Sequence, residues 1–132
     1  MAPIRREIVT KARPDEAWAA LRDVGALHTR LVPGFVKDTQ VEGESRIVTF
    51  SSGMVVRELI VDVNDEQRRV VWSAVGGALT HHNGSAQVFP EDGGKSRVVW
   101  IADLLPHEMA GPISSLMDEG MKAMKAALDQ LV

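Results

Sequence analysis

The chain has no cysteine and no tyrosine. Without cysteine there is no disulfide, no thiolate metal site and no Cys nucleophile, a composition that suits a reducing cytoplasm. Without tyrosine, any mechanism that needs a phenolic acid or base is excluded. Long hydrophobic runs are missing too. None approaches the ~20 residues needed to span a bilayer. The opening "MAPIRREIVTKARPDEAW" has no apolar core of signal-peptide length. A cytoplasmic protein with no membrane span is expected. Neither sign of charge dominates: 15 Lys and Arg stand against 18 Asp and Glu, for a formal net charge of -3. The basic residues are scattered and form no stripe, so nucleic acid is not an expected partner.

What is present is the composition of a soluble globular protein. The 132 residues are 45% hydrophobic and 25% charged, enough for one domain over residues 1–132 with one core. "IRREIVTKA", Ile4 to Ala12, has the length and β-branched content of a strand. In "RPDEAWAALRDV", Pro14 suits a first helical turn and Asp15 and Glu16 suit its positive end. Ala17, Trp18 and Leu21 give this helix an apolar face. A second short helix is predicted over roughly Val24 to Leu31, stopping near Pro33-Gly34.

From Gly34 to Leu105 the pattern changes to short β-branched runs separated by turn clusters. The runs are "FVKDTQV", "SRIVTFS", "MVVRELIVDV", "RRVVWSAV", "THHNGSAQVF" and "SRVVWIADLL". Turns this short force antiparallel pairing. Pro106 ends the last run. The remainder, "GPISSLMDEGMKAMKAALDQLV" from Gly111 to Val132, is a helix whose ~20 residues reach ~30 Å. A curved sheet needs one face covered, and this helix is the only element long enough. The predicted fold class is α+β: a curved antiparallel sheet of about seven strands, two short helices after the first strand, and a long C-terminal helix.

Three stretches carry a family resemblance. "RPDEAWAALRDVGAL" puts an aromatic, Trp18, in the helix after the first strand. "SRIVTF…GMVVRELIVDVNDEQRRVVWSAVGG" sets an arginine strand before a Glu-Leu strand ending in Asp, followed by an aromatic strand and a Gly-Gly turn. "SRVVWIADL" leads into the long helix. Together, over nearly the whole chain, they resemble the START/Bet v 1-like superfamily (SRPBCC, the polyketide cyclase/dehydrase and lipid-transport group). The resemblance implies a helix-grip fold with a cavity between sheet and helix. Members carry lipids, sterols, hormones, polyketides or aromatic compounds, and some catalyse reactions on them. What is implied here is a pocket for a small hydrophobic molecule. One departure stands out. There is no Lys at Pro33 or Gly34, roughly where hormone receptors of the superfamily anchor a ligand carboxylate.

The long helix carries Ile113, Met117, Met121, Met124, Leu128 and Leu131 on one face. Met fills irregular cores, and it also adapts to ligands of varied shape. A solid core and a cavity wall both fit, and the resemblance favours the wall for Ile113, Met117, Met121 and Met124. Gly120 costs a helix ~1 kcal/mol relative to Ala, which points to close packing or a need for space. Asp118 and Lys122 make an i,i+4 pair on the solvated face.

Side chains alternate across a strand, so Arg57 and Glu58 point to opposite faces. If Val56, Glu58 and Ile60 face inward, a carboxylate enters an apolar cavity and needs a partner. Arg46, on the preceding strand, is the candidate. By resemblance, Arg and Glu at these places line the pocket in the superfamily's hormone receptors and carry proton transfer in its lachrymatory-factor synthase. A tight Ser52-Gly53 turn would instead put Phe50 and Arg57 on one face, so the register is open. A rim ion pair of little worth is the other reading of the two residues. Val48, Phe50 and Val56 complete this part of the expected wall. Trp72, with Val70 and Ala74 on the same parity, extends it, and Gly76-Gly77 is either a mobile flap at its mouth or an ordinary hairpin turn.

The four histidines do not make a metal site. His81 and His82 are adjacent on a strand and point apart, and no HExxH-type spacing exists. No metal and no cofactor are expected. His28 falls in the second short helix, which roofs the cavity in the resembled fold; a surface position is the alternative. Asn83 and Ser85 fall where the hormone receptors place polar pocket residues, or are plain strand polar groups.

Two functions follow. One is a binding module for a small hydrophobic molecule. The other is a metal-free cyclase, dehydratase or isomerase using Arg46 and Glu58. A third reading has the Met face meeting a protein partner. Monomer and homodimer fit the sequence equally well.

Overall fold

Each β-branched run becomes a strand, and the strands join in one antiparallel sheet. The structure is a computed structural model that describes residues 3–131. β1 (Ile4–Thr10) is followed by α1 (Pro14–Arg22) and a π-helical turn at Leu27–Leu31. Then come β2 (Val36–Glu42), β3 (Ser45–Phe50), β4 (Val55–Asn64), β5 (Arg69–Val75), β6 (His81–Pro90) and β7 (Ser96–Leu105). The chain closes on α2 (Ala110–Asp129). The seven strands lie in the order β1-β7-β6-β5-β4-β3-β2. The order of elements and the fold class are those expected. Val132, the last residue of the expected helix, lies outside the described residues.

The sheet is curved and α2 lies across its concave face. Alternation decides which residues point there. Val48 of β3, Val70 and Trp72 of β5, Ala86 and Val88 of β6, and Val98 of β7 are buried together with Met121, Met124 and Leu128 of α2. Removing each large side chain from water contributes about 1.5–3 kcal/mol. Two glycines let the aromatic residues approach closely. A Cβ on Gly120 of α2 would sit 2.8 Å from Trp100 Cζ3, and one on Gly84 of β6 would sit 2.8 Å from Trp72 Cε2. Close packing is therefore what Gly120 is for.

Polar bonds fix α2 to the edge strand β1. Asp129 Oδ1 accepts from Thr10 Oγ1 (2.7 Å) and the Lys11 backbone N–H (2.8 Å). Lys125 Nζ donates to Val9 O and to Asp129 Oδ2, both at 2.9 Å. These bonds hold the Asp129 carboxyl at about 2, well below its usual value, with the Thr10 hydroxyl the largest cause. α1 is fixed in a similar way: Trp18 Nε1 and Arg22 Nε both donate to Asp65 Oδ1 at 2.9 Å.

Three local expectations need correction. The second helix does not run from Val24. Val24 and Gly25 belong to a turn closed by Ala26 N–H to Asp23 O. Only Leu27–Leu31 is helical, with Val32 N–H reaching Leu27 O, the five-residue spacing of a π turn. Asp118 does not pair with Lys122. It accepts from Arg6 Nε of β1 at 2.6 Å, because α2 lies close to that strand. Leu131 is 43% exposed, since the helix ends at Asp129 before its face comes round again.

Candidate functional site: a two-lobed cavity

Between the sheet and its helices lies a hollow with two lobes that share a waist. The inner lobe has a volume of about 70 Å³. It is walled by Leu21 of α1, by Leu27, Leu31 and Val32 of the π turn, and by Val48, Val70, Ala86 and Met124. The outer lobe has about 220 Å³, walled by Val56, Ala74, Leu79, His82, Met109, Ile113, Leu116 and Met117. Phe35, Phe50, Glu58, Trp72 and Trp100 border both. The aromatic side chains of this waist interlock: Phe35 and Phe50 meet edge to face at 5.3 Å, and Trp72 and Trp100 lie 6.1 Å apart at 51°. For scale, a dry apolar cavity of about 150 Å³ admits benzene.

The outer lobe reaches the surface. Its rim is formed by the β3–β4 loop, the β5–β6 turn and the start of α2. The rim residues Met54, Val55, Gly76, Gly77 and Ala78 are all exposed, Val55 at 59%. Gly76 and Gly77 have φ of +83° and +70°, a conformation that L side chains adopt only under strain.

One ion pair sits at the waist. Arg46 and Glu58 are direct cross-strand partners on β3 and β4. Arg46 Nε donates to Glu58 Oε1 at 2.8 Å, and the residues are 3% and 9% exposed. Arg46 Nη1 also donates to Val24 O at 3.2 Å, and its guanidinium lies 5.5 Å from the Trp72 ring centroid. This is no rim pair. The register that sequence left open is set by the β3–β4 loop, where Phe50 N–H bonds Met54 O at 2.8 Å. A wider loop than Ser52-Gly53 alone keeps Val48 opposite Val56 and Arg46 opposite Glu58. Arg57 consequently faces outward, where it meets Glu42 at 3.2 Å.

His82 is the second polar group of the wall, and sequence reasoning did not select it. The β5–β6 ladder ends at the Trp72–Gly84 pair. Beyond it, Ala74 N–H donates to His82 Nδ1 at 2.9 Å and Ser73 Oγ donates to His82 O at 2.6 Å. An imidazole thus stands where a strand carbonyl would. Because Nδ1 accepts, the neutral ring carries its proton on Nε2. Burial pushes the imidazole below its ordinary pKa and the charge of His81 adds to this, while Asp103 opposes them.

Most expected wall residues meet at the cavity: Arg46, Val48, Phe50, Val56, Glu58, Trp72, Ala74, Ile113, Met117 and Met124. Four expected residues do not. Met121 packs inside the solid core, between the helix positions that face the two lobes. His28 lies off the cavity, its Nδ1 3.1 Å from Thr39 Oγ1, because Leu27 and Leu31 take the inward positions of the turn. Asn83 and Ser85 point away from it, because Gly84, Ala86 and Val88 are the buried set of β6. Trp100, Phe35, Leu27 and Leu31 were missed. The i,i+4 spacing of the two leucines was a readable signal. Among the described residues no group of three or more His, Asp or Glu is placed to hold a metal ion. No helix among the described residues is long and apolar enough to cross a membrane.

The sequence profile of the family described as "Polyketide cyclase / dehydrase and lipid transport" matches residues 1–132. The chain belongs to this family. No curated protein matches it in sequence. Among solved structures it is similar to the protein XoxI of Bacillus cereus, with 19% identity and a TM-score of 0.87, over 99% of this chain and 98% of that one. Norcoclaurine synthase of Thalictrum flavum has 20% identity and a TM-score of 0.74, over 98% of this chain and 85% of that one. A START superfamily protein of Mycobacterium smegmatis has 12% identity and a TM-score of 0.76, over 98% and 99%. At these identities the likeness is one of fold.

Two expected outcomes follow from the geometry. Removing one partner of a buried ion pair strands the other, at a cost of about 3–5 kcal/mol. Arg46→Met and Glu58→Leu should each destabilise by about that amount, and the double variant by far less; urea denaturation of all four proteins checks this. The second concerns pH. His82 has a lowered pKa in the folded chain, so its contribution is complete above about 6.5, the unfolded value. It is lost as pH falls from there through the folded value. Stability measured from pH 7.5 down to 5 should decline more steeply for the wild-type protein than for His82→Gln.

Proposed function

We propose that this protein binds a small, predominantly apolar molecule in the hollow between its sheet and α2. The observation that carries the reading is the outer lobe, an apolar chamber of about 220 Å³ that opens at an exposed rim. A chamber with pliable Met109 and Met117 in its wall adapts to guests of more than one shape. The family's description, which joins polyketide chemistry with lipid transport, supports the same reading. Ala74 projects only a methyl group into the lobe. Ala74→Leu is expected to fill that space and to weaken uptake of naphthalene at least tenfold, measured by calorimetric titration, while leaving the circular dichroism spectrum unchanged. Native mass spectrometry of gently purified protein gives the complementary test. The reading is overturned if no small molecule is retained and the wild-type protein takes up no naphthalene.

A second reading has its own observation. Glu58 spends Oε1 on Arg46, while Oε2 makes no hydrogen bond to the described residues and the side chain borders both lobes. A carboxylate so placed can take a proton from a bound compound and return it. Under this reading the protein is a cyclase, dehydratase or isomerase in which Glu58 moves the proton and Arg46 positions it. The expected signature is deuterium exchange from heavy water into the carbon beside the carbonyl of a bound aryl ketone, followed by NMR. Exchange at the uncatalysed rate, or equal exchange with Glu58→Gln, would count against turnover and leave the binding reading standing.

A further inference from the structure

One row of residues crosses the concave face beside the mouth. Arg46 pairs with Glu58, Glu58 pairs with Ala74, and Ala74 N–H bonds the ring of His82. Glu58 on β4 and His82 on β6 thus flank Ala74 on β5, with the His82 ring set into the gap where the β5–β6 ladder has ended. All three side chains wall the outer lobe. The two ends of the row offer opposite hydrogen-bonding chemistry. Glu58 Oε2 is an acceptor without a hydrogen-bond partner among the described residues. His82 Nε2 is a donor, because Nδ1 is already accepting from Ala74, and it too has no partner among the described residues. The methyl group of Ala74 leaves a notch between them.

The charges in this lobe select further. Among the described residues Glu58 is the single charged one in its wall, and Arg46, which would attract an anion, is bonded to Glu58 from the inner side. The other charged or titratable groups near His82 are His81, next to it on β6, and Asp103 on β7; neither walls the outer lobe. A carboxylate entering here meets like charge and loses its hydration with no cation to replace it. A neutral molecule with one donor and one acceptor meets complementary groups at both ends.

We infer that the ligand is a neutral ring compound bearing a hydroxyl group and a carbonyl group, the hydroxyl donating to Glu58 and the carbonyl accepting from His82 Nε2 across Ala74. The inference rests on the proposed binding function and narrows it. It makes His82 a specificity-determining residue, and it excludes organic acids of the same shape.

The test is a matched set of probes titrated calorimetrically into the intact protein at pH 7.5. 3-Hydroxyacetophenone has both groups. 3-Methylacetophenone lacks the hydroxyl, 3-isopropenylphenol lacks the carbonyl, and 3-isopropenyltoluene lacks both at nearly unchanged shape. 3-Hydroxybenzoate replaces the ketone by a carboxylate. Losing the carbonyl should weaken binding about fivefold, and losing the hydroxyl, whose bond is to a charged group, about tenfold or more. The benzoate should bind more weakly than any neutral probe. In His82→Phe the preference for the carbonyl should vanish while that for the hydroxyl persists. Should that variant fail to fold, the wild-type protein still decides. The His82 Nε2 resonance should move with 3-hydroxyacetophenone and stay in place with 3-isopropenylphenol. If the four neutral probes bind within twofold of one another, or the benzoate binds as well as the ketone, the inference is overturned and the cavity remains a general apolar site. If none of the four neutral probes binds, the binding function itself fails and the inference falls with it.

Discussion

The Arg46–Glu58 pair is the constraint around which the rest of this interior is arranged. Two charges under apolar side chains are tolerable only together, bonded at 2.8 Å and ringed by other partners. The pair fixes which face of β3 and β4 looks inward, because a slip of one residue would replace it with Arg57 against the core. It binds the turn before the π helix to the sheet through Val24 O, and it holds the Trp72 indole under the guanidinium. The aromatic waist, the division into two lobes and the roof over the inner one follow from that single placement.

The hollow exists because large and small residues are set against each other. Four aromatic side chains could close the space between sheet and helix completely. They leave two lobes open: Trp72 packs on Gly84 within the sheet, Trp100 reaches across to Gly120 of α2, and both rings wall the space that remains. α2 cannot drift inward to fill it. Its end is tied to β1 through Asp129 and Lys125, and its middle through Asp118 and Arg6. The structural neighbours of the chain share this plan of sheet gripping helix.

Sequence carried the architecture well and the site unevenly. The strands were legible because β-branched runs alternate with Gly- and Asp-bearing turns, and α2 because its apolar spacing is helical. The inward direction of Glu58 was legible as a conditional: alternation linked it to Val56, and a loop one step wider than the tightest turn decided the matter. Asn83 and Ser85 went wrong because "HHNGS" has no apolar alternation to set its parity. Only the buried Ala86 and Val88 further on, with Gly84 packed on Trp72, show which face is inside. His82 was invisible for a related reason. Its role depends on where the β5–β6 ladder stops, and no local pattern marks that point. Met121 differs from Met117 and Met124 by a rotation of the helix that periodicity does not resolve, since all three are buried.

Gly84 and Gly120 have one more implication. Neither borders the hollow, yet each is packed against an indole that does. A side chain at either position would displace a tryptophan that walls both lobes and so change the shape of the chamber. The size of guest that fits is thus adjustable at places that never touch the guest. Relatives with the same lining could accept quite different compounds through a change in the backing alone.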